Sequence, residues 1–521
     1  MASVNWQDTA MHQSIIQTIS QGNFPPQAPY FSGQPLNYYY FIDFHTAILQ
    51  TLYGDFFPRI LVYDNPFFVL MFFLSIYALS YSIFKNKLSA IIAGLLAVFI
   101  GNFLFIRFFK DIYINLDNSN NFINTIINLA AIRSYTLDNG QLMQMVPMAD
   151  YFLQNRPMTI GLPTVAVLIL LLVNGHEKNS RKYFVLSSLL TAMLFKFQLF
   201  AFGISIIIFL LSWFSFLNDN FKKEISKLVR LVSFLAAFSV PVWLLFRNNN
   251  YVLETFLNNF RLGAWDKTKD FYWYLQFPFA NFGVLFILFL FFVLLITLKK
   301  VNLTGGLKLL LILGIILSVI PFVVHFTIND GDMLKFFYFA MIPFSIISGL
   351  ILQKVWRSSY LGPLLVILLI VISSTNSLLT LASSFFNKYQ GYSQADYQVG
   401  MWIRNNSLPQ SVFLSLPTVH SPISDIGGRL RVLSYTMWPY SHGFNKGVDN
   451  VFSRQADIEG IYQYPSDTEN VKRIFSKYDI NYVYLGSEEK NKYPFTKQMF
   501  DQQAYLKLIY DFADVQIYQI L

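Results

Sequence analysis

The sequence predicts a polytopic α-helical membrane protein with a C-terminal α/β domain. Of its 521 residues, 54% are hydrophobic and only 13% are charged, against roughly a quarter in soluble proteins. Uninterrupted apolar runs at 66–84, 88–109 and 282–298 approach or exceed the length of about 20 residues that a spanning helix needs. Beyond residue 385 the pattern changes to short alternating runs bounded by turns, which is typical of a small α/β fold. A soluble globular protein is excluded.

Apolar windows predict about ten transmembrane helices within a membrane domain at 62–384. The predicted spans are 62–84, 88–108, 158–174, 183–195, 198–217, 228–246, 281–298, 307–327, 334–353 and 361–382. If alternate loops are assigned to the cytoplasm, one face collects 14 basic and 3 acidic residues, a net charge of +11. The positive-inside rule therefore places the long segments 1–61, 109–157 and 247–280, and the domain at 385–521, on the extracytoplasmic side of the cell membrane.

The tail, 385–521, is predicted to fold on its own. Its periodicity indicates helices at 395–404 and 468–477, and strands at 412–416, 431–436, 481–485, 506–511 and 515–520. The tail is electrically neutral, so the formal charge of +9 belongs to the membrane part, where short basic loops account for it without a nucleic-acid partner. The sequence contains no cysteine, which excludes disulfides and cysteine nucleophiles.

The first segment contains D-x-x-x-H at Asp8 and His12, within a predicted helix at 8–20. Residues four apart share a helix face, and a carboxylate beside an imidazole can act as a general base or contribute to a divalent-metal site with further ligands. A chance histidine after an acidic helix start is the alternative. The following tyrosines, Tyr38, Tyr39 and Tyr40, are predicted to open a helix that lies in the membrane interface.

Charged residues also interrupt the ends of predicted spans. Asp150 and Arg156 precede one span, Lys196 interrupts another, and Asp332 and Lys335 lie in the shortest outer loop. A cation at this depth needs a partner, which a lipid phosphate could supply, although snorkelling to headgroups is the alternative for Arg156 and Lys335.

Taken in order, these features resemble the GT-C superfamily of membrane glycosyltransferases, and more narrowly the protein-mannosyltransferase-like enzymes and a group of membrane proteins named for a YYY motif. The specific part is G-N-F-P-P-Q-A-P-Y-F-S-G-Q-P-L-N-Y-Y-Y-F-I-D at 22–43. Weaker similarities lie at 155–161, 332–336, 395–405 and 482–486. The resemblance therefore covers nearly the whole chain.

The resemblance implies an enzyme that transfers a sugar from a polyprenyl-phosphate donor to a glycan, lipid or protein acceptor of the cell envelope. It implies that Asp8, with His12, is catalytic, and that Arg156, Lys335 and Lys196 hold the departing phosphate. The remaining substrate-binding candidates are Tyr38, Tyr39, Tyr40, Asp43, Asp150 and Asp332. No cofactor is implied beyond a divalent metal ion beside Asp8.

The resemblance also implies a membrane helix before the acidic segment, whereas only seven residues precede Asp8. The sequence thus predicts a truncated N-terminus, with the activity of such a polypeptide in question. The alternative is that the first span exports the preceding segment. Two non-enzymatic functions also remain open: a transporter of lipid or polysaccharide, although no internal repeat is visible, and a scaffold that binds envelope glycans.

Overall fold

The structure is a computed structural model in which helices predominate. It describes residues 6–54, 57–116, 122–132, 135, 142, 145–154, 156–217, 221–246, 258–266, 268–327, 330–386, 391–512 and 514–521. The chain forms two compact units, the helical unit at 63–388 and the α/β unit at 5–62 and 389–521. The N-terminal and C-terminal segments, which were predicted as separate regions, thus fold together.

The helical unit is an assembly of apolar helices, and its share of the helix Phe57–Phe84 begins at Tyr63. The helices are Phe57–Phe84, Lys87–Phe99, Phe105–Leu116, Phe122–Ala130, Met148–Gln154, Arg156–Glu177, Arg181–Phe197, Leu199–Ser215, Phe221–Phe246, Phe271–Phe282, Val284–Thr297, Gly305–Val323, Lys335–Ser358 and Gly362–Phe386. Two short antiparallel strands, Arg261–Leu262 and Val324–His325, and a 3₁₀ turn, Asp330–Leu334, lie between them.

Within the described ranges, six helices are long and apolar enough to cross a membrane: Tyr63–Phe84, Arg156–Glu177, Glu224–Leu245, Gly305–Val323, Asp330–Ser358 and Gly362–Phe386. A seventh crossing results if Phe271–Phe282 and Val284–Thr297, bent by 106° at Gly283, count as one. The predicted class of polytopic α-helical membrane protein is confirmed. Seven of the ten predicted windows fall on these seven crossings. The other three fall on the shorter helices Lys87–Phe99, Arg181–Phe197 and Leu199–Ser215.

The window predicted at 88–108 is wrong in extent, because the helix ends at Phe99. Ile100 is extended, and its carbonyl accepts hydrogen bonds from Met148 N at 3.0 Å and Ser377 Oγ at 2.9 Å. At Gly101 a Cβ atom would lie 2.6 Å from Asn376 Cβ. Close packing against neighbouring helices, which an apolar run does not encode, therefore interrupts this span.

The helix Lys335–Ser358 forms the centre of the helical unit, since nearly every side chain from 335 to 353 is buried. A helix that is apolar on all faces is expected in such a position. Lys335 lies at the first position of this central helix.

The α/β unit is built around one mixed five-stranded sheet. Across the sheet the strands are Leu430–Arg431, Val412–Leu414, Ile480–Leu485, Val515–Ile520 and Leu506–Phe512. The first three are parallel, and the last two form an antiparallel hairpin. The helices of the unit are Trp6–Ser20, Phe41–Tyr53, Gln394–Asn406, Pro422–Asp425, Met437–Ser441, Val451–Gln463, Thr468–Lys477, Ser487–Lys492 and Thr496–Asp501.

Most predicted elements of the tail are present, but the strand predicted at 431–436 is wrong beyond Arg431. Arg431 N donates to Pro29 O, and Ser434 N donates to Tyr30 O, each at 3.0 Å. The edge of the sheet is thus continued by a loop from the N-terminal segment. A proline-rich loop lacks the amide hydrogens for a regular ladder, so no further strand forms.

Candidate functional site

The first helix, Trp6–Ser20, and the second helix, Phe41–Tyr53, bring a histidine and an aspartate together inside the α/β unit. His12 Nδ1 lies 2.9 Å from each carboxylate oxygen of Asp43. Both residues are buried, with His12 2% and Asp43 0% exposed. A carboxylate on Nδ1 orients the ring and favours the tautomer that carries its proton there, which leaves Nε2 as the basic nitrogen.

Asp8 lies on the first helix one turn before His12 and is exposed. The D-x-x-x-H spacing predicts that the Asp8 carboxylate lies beside the imidazole, whereas the ion pair that the structure records for His12 is with Asp43. Asp8 still belongs to the same neighbourhood. Burial, followed by the charges of Tyr39, Asp43 and Asp8, raises the pKa of the Tyr38 phenol well above its ordinary value.

The three tyrosines of the YYY motif divide between the site and the core. Tyr38 and Tyr39 are half-buried and stack at 4.3 Å between ring centroids, and Tyr38 lies 5.8 Å from the His12 ring. Tyr40 is 8% exposed, and its ring meets that of Phe41 edge-on. The motif was predicted to lie within a helix, but the helix begins only at Phe41. Tyr40, at φ −90° and ψ 5°, occupies its N-cap position.

The segment before the YYY motif is held against the sheet by backbone hydrogen bonds. Arg431 N donates to Pro29 O, Ser32 N donates to Arg431 O, and Ser434 N donates to Tyr30 O, each at 3.0 Å. The P-Y-F-S stretch at 29–32 therefore has a structural role. It fixes the position from which the chain enters Tyr38 and the second helix.

Asp425, a buried residue, attaches the first helix to the C-terminal segment through its backbone carbonyl. Asp425 O accepts a hydrogen bond from Gln13 Nε2 at 2.7 Å. The Asp425 carboxylate accepts from Tyr392 Oη at 2.5 Å, Ser421 N at 2.9 Å and Ser424 Oγ at 2.6 Å. Burial is the largest influence and raises the pKa of Asp425 to about 6.

This pKa predicts that the α/β unit is more stable in mild acid. A carboxyl whose folded pKa is raised contributes stability that is full below its ordinary pKa and is lost as pH rises through about 6. We expect the free energy of unfolding to fall by up to about 3 kcal/mol between pH 4 and 7.

The chain has no free cysteine, so one dye on Ser476→Cys, an exposed site in this unit, can report denaturant unfolding. In Asp425→Asn the free energy of unfolding should change less with pH between 4 and 7. An unchanged pH dependence would show that other groups cause it.

In the helical unit, Arg156 is the first residue of the helix Arg156–Glu177 and lies beside two polar side chains. Arg156 Nη2 lies 3.4 Å from Asp64 Oδ2, and Nη1 lies 3.4 Å from Asn65 Oδ1. All three residues are less than 9% exposed. Charge-assisted hydrogen bonds are usually about 2.7–2.9 Å long, so both of these contacts are longer than is usual for such pairs.

Lys335 is also buried and lies in a polar and aromatic setting. Its Nζ is 2.7 Å from Asp332 Oδ1 and 4.9 Å from the ring centre of Phe200. Gln198, two residues before Phe200, donates to Met158 Sδ at 3.0 Å. Met158 is two residues after Arg156, and Gln198 is two residues after Lys196, so this contact brings the neighbourhoods of Arg156 and Lys196 together. Lys335 adjoins them through Phe200. The three predicted phosphate-binding cations therefore lie at one end of the helical unit.

Asp150 lies at this same end. It is fully buried in the helix Met148–Gln154. The ring of the next residue, Tyr151, stacks at 3.6 Å on Tyr338, one turn beyond Lys335. Thus Asp150, Arg156, Lys196, Asp332 and Lys335, which come from three separate segments of the sequence, all lie at one end of the helical unit.

The metal site considered for Asp8 and His12 has few ligands. Within the described ranges, no three His, Asp or Glu side chains lie close enough together to hold a metal ion. His12 and Asp43 supply only two donors, and each already satisfies the other.

Several contacts were not predicted from the sequence. Asp64 and Asn65 lie at the start of the first predicted span, where a polar pair is itself a signal for a buried partner. His442, which meets Tyr30 and Tyr38, lies in a segment whose local pattern gives no such signal.

Solved structures of similar shape cover almost the whole chain. The crystal structure of ArnT from Cupriavidus metallidurans in the apo state has a TM-score of 0.51 and 8% identity, and covers 98% of this chain and 92% of that chain. The structure of ArnT from the same organism bound to undecaprenyl phosphate has a TM-score of 0.53 and 10% identity, with 98% and 95% covered.

At this level of identity the similarity shows the fold alone, and this polytopic helical membrane protein shares the fold of ArnT. Residues 2–121 match the family model described as "Uncharacterized membrane protein (DUF2298)". The matched range includes the whole segment from F-P-P-Q to the YYY motif. No curated protein sequence matches the chain.

Proposed function

We propose that this protein is a membrane glycosyltransferase that moves a sugar from a polyprenyl-phosphate donor to a glycan, lipid or protein acceptor on the extracytoplasmic side of the cell membrane. A fold alone hosts many functions, so the proposal needs a site. The observation that carries it is the buried His12–Asp43 pair beside Tyr38 in a chain with the ArnT fold. An ArnT structure bound to undecaprenyl phosphate supports a donor carrier of that lipid class.

On the donor side, the reaction breaks the bond between the anomeric carbon and a phosphate oxygen. The departing lipid phosphate gains negative charge in the transition state, and preorganised cations stabilise that charge. Arg156 and Lys335 are proposed for this role, with Lys196 as a third candidate. Asp64 and Asp332 hold the first two cations in place before the donor binds.

On the acceptor side, a hydroxyl or amide attacks the anomeric carbon and loses a proton. Asp8 is proposed as the base, because it is exposed and can reach an acceptor. His12, one helical turn from Asp8, and Asp43, which contacts His12, are proposed to support this base. Asp43 contacts the imidazole of His12 at 2.9 Å, which fixes the orientation of the ring beside the helix face that carries Asp8.

The direct test is sugar release in proteoliposomes supplied with a panel of radiolabelled polyprenyl-phosphate sugars. The proposal predicts release or transfer from at least one member of the panel, with loss of that signal in Asp8→Asn. A correctly folded protein that releases no sugar from any donor would contradict the proposed enzyme class.

Removing a phosphate-binding cation is expected to weaken donor binding as well as turnover. Lys335→Gln and Arg156→Gln should each lower affinity for the lipid phosphate about 10- to 100-fold, the effect of one hydrogen bond to a charged group. Glutamine keeps donors for Asp332 and Asp64, so the fold should persist. The measurement is equilibrium binding of polyprenyl phosphate to protein in nanodiscs.

Lys354→Ala is the matched control, because Lys354 is exposed near the other end of the helix that begins with Lys335. Its donor affinity should equal that of the unmodified protein. Unchanged affinity in both glutamine variants would remove Arg156 and Lys335 from phosphate binding.

A further inference from the structure

Tyr38 of the YYY motif lies between two histidines that are far apart in sequence. Its ring centre is 5.8 Å from that of His12 and 4.9 Å from that of His442. Tyr39 extends this surface by stacking on Tyr38 at an interplanar angle of 25°. Tyr38, Tyr39 and His442 are each half-buried, so their rings are part of the surface of the α/β unit.

His442 is held in a defined orientation. Tyr30 Oη and His442 Nδ1 are 2.8 Å apart, and Tyr30 is fully buried. The backbone of Tyr30 is fixed in turn, because its carbonyl accepts a hydrogen bond from Ser434 N at 3.0 Å. A histidine fixed through a buried tyrosine is preorganised, which lowers the entropic cost of ligand binding.

The neighbouring Trp438 has an unsatisfied polar group. It is 5% exposed, and its ring packs against Tyr30 at 6.1 Å and Tyr435 at 5.7 Å. Among the residues that the structure describes, none accepts a hydrogen bond from Trp438 Nε1. A buried donor without an acceptor costs about 1–3 kcal/mol, which the packing of Trp438 behind Tyr30 offsets.

We propose that Tyr38, Tyr39 and His442 form a saccharide-binding subsite, and that its occupant is a pyranose ring of the acceptor. A pyranose has an apolar face of C–H groups and a rim of hydroxyls. Aromatic rings with polar tips complement both parts. This inference rests on the proposed function, since Tyr38 also adjoins the helix that carries Asp8. It selects a glycan from the acceptor classes named above.

The test is saturation-transfer NMR on the full chain in nanodiscs, without donor, using methyl glycosides and disaccharides of glucose, mannose, galactose and N-acetylglucosamine as probes. At least one probe should bind with a dissociation constant in the millimolar range. His442→Ala should weaken that binding at least about 10-fold. Tyr30→Phe, which keeps the ring but removes the hydroxyl, should weaken it about 3- to 10-fold, as expected for one hydrogen bond.

Tyr464→Phe is the matched control, because Tyr464 is 59% exposed elsewhere in the unit; it should bind like the unmodified protein. Thermal melting of each variant identifies any loss of folding. Absence of binding by the unmodified protein, or equal binding by folded His442→Ala, would overturn the subsite.

The two proposals fail in different ways. His12→Asn should retain probe binding while losing sugar transfer. If probe binding depends on His442 but no sugar is transferred from any donor, the subsite proposal stands and the proposed enzyme function is wrong. Transfer that is unaffected by His442→Ala, to an acceptor without a sugar, would keep the enzyme and overturn the subsite.

Discussion

Replacing Asp8 by asparagine is expected to lower turnover roughly 10²- to 10⁴-fold, the usual contribution of a positioned general base. The amide keeps the size of the carboxylate but cannot take a proton from the acceptor. Donor affinity should stay the same, because a base acts in the transition state rather than in ground-state binding. Initial rates of sugar transfer and binding of the polyprenyl phosphate, measured on the same preparations, check both parts.

Asp479→Asn is a matched control for this substitution. Asp479 is exposed in the same unit and has φ of 52°, a conformation that asparagine tolerates well. Its turnover should equal that of the unmodified protein. Turnover retained in Asp8→Asn would show that Asp8 is not the base.

Asp43→Asn tests the role of Asp43 as a supporting residue separately from the role of Asp8 as the base. Since Asp43 acts through His12, we expect a smaller loss, up to about 10²-fold, of the size caused by a misplaced catalytic group. The loss should appear in kcat rather than in KM for the donor. A change of the pH–rate profile should accompany it, because the variant alters the charge beside the imidazole; a merely structural role would leave the profile unchanged.

The membrane part was largely predictable because its signal is local. Each apolar run produced a helix, and the hairpin at 506–520 was evident from alternating residues bounded by Ala513 and Asp514. The end of the helix at Phe99 was not predictable, since packing against Met148 and Ser377 determines it.

The site was only partly predictable, for the same reason. D-x-x-x-H drew attention to His12, but its carboxylate partner is 31 residues away, across a proline-rich loop whose path depends on the strand at Arg431. Tyr30 and His442 are 412 residues apart. Contacts of this kind follow from the tertiary fold, and a single sequence contains no local pattern that specifies them.

Arg431 connects that fold to the site, and its truncation is expected to have the largest effect on stability. The guanidinium is fully buried. It donates to the hydroxyls of Ser415 and Ser434 at 2.9 and 2.5 Å, to Leu416 O at 2.6 Å, and to the Thr418 carbonyl and hydroxyl at 3.1 and 2.9 Å. Burial lowers the Arg431 pKa, which indicates the cost of keeping this charge away from water.

Arg431→Ala would leave these acceptors unsatisfied and remove the cation nearest to the buried carboxylates of Asp425 and Glu489. We expect a loss of about 3–5 kcal/mol in the free energy of unfolding, as for other broken buried charge networks. The dye on Ser476→Cys reports it. Arg473→Ala, at an exposed arginine of the same unit, should cost less than about 0.5 kcal/mol.

The same substitution should also impair the site, since the backbone of Arg431 fixes Pro29 and Ser32 ahead of the YYY motif. Sugar transfer by Arg431→Ala should therefore fall even at temperatures where most of the protein remains folded. Arg431→Lys retains the charge but not the planar fork of donors. Its stability and its activity should lie between those of the unmodified protein and those of Arg431→Ala. If Arg431→Ala unfolded at the same denaturant concentration as the unmodified protein, the buried network would not be what holds the N-terminal segment against the sheet.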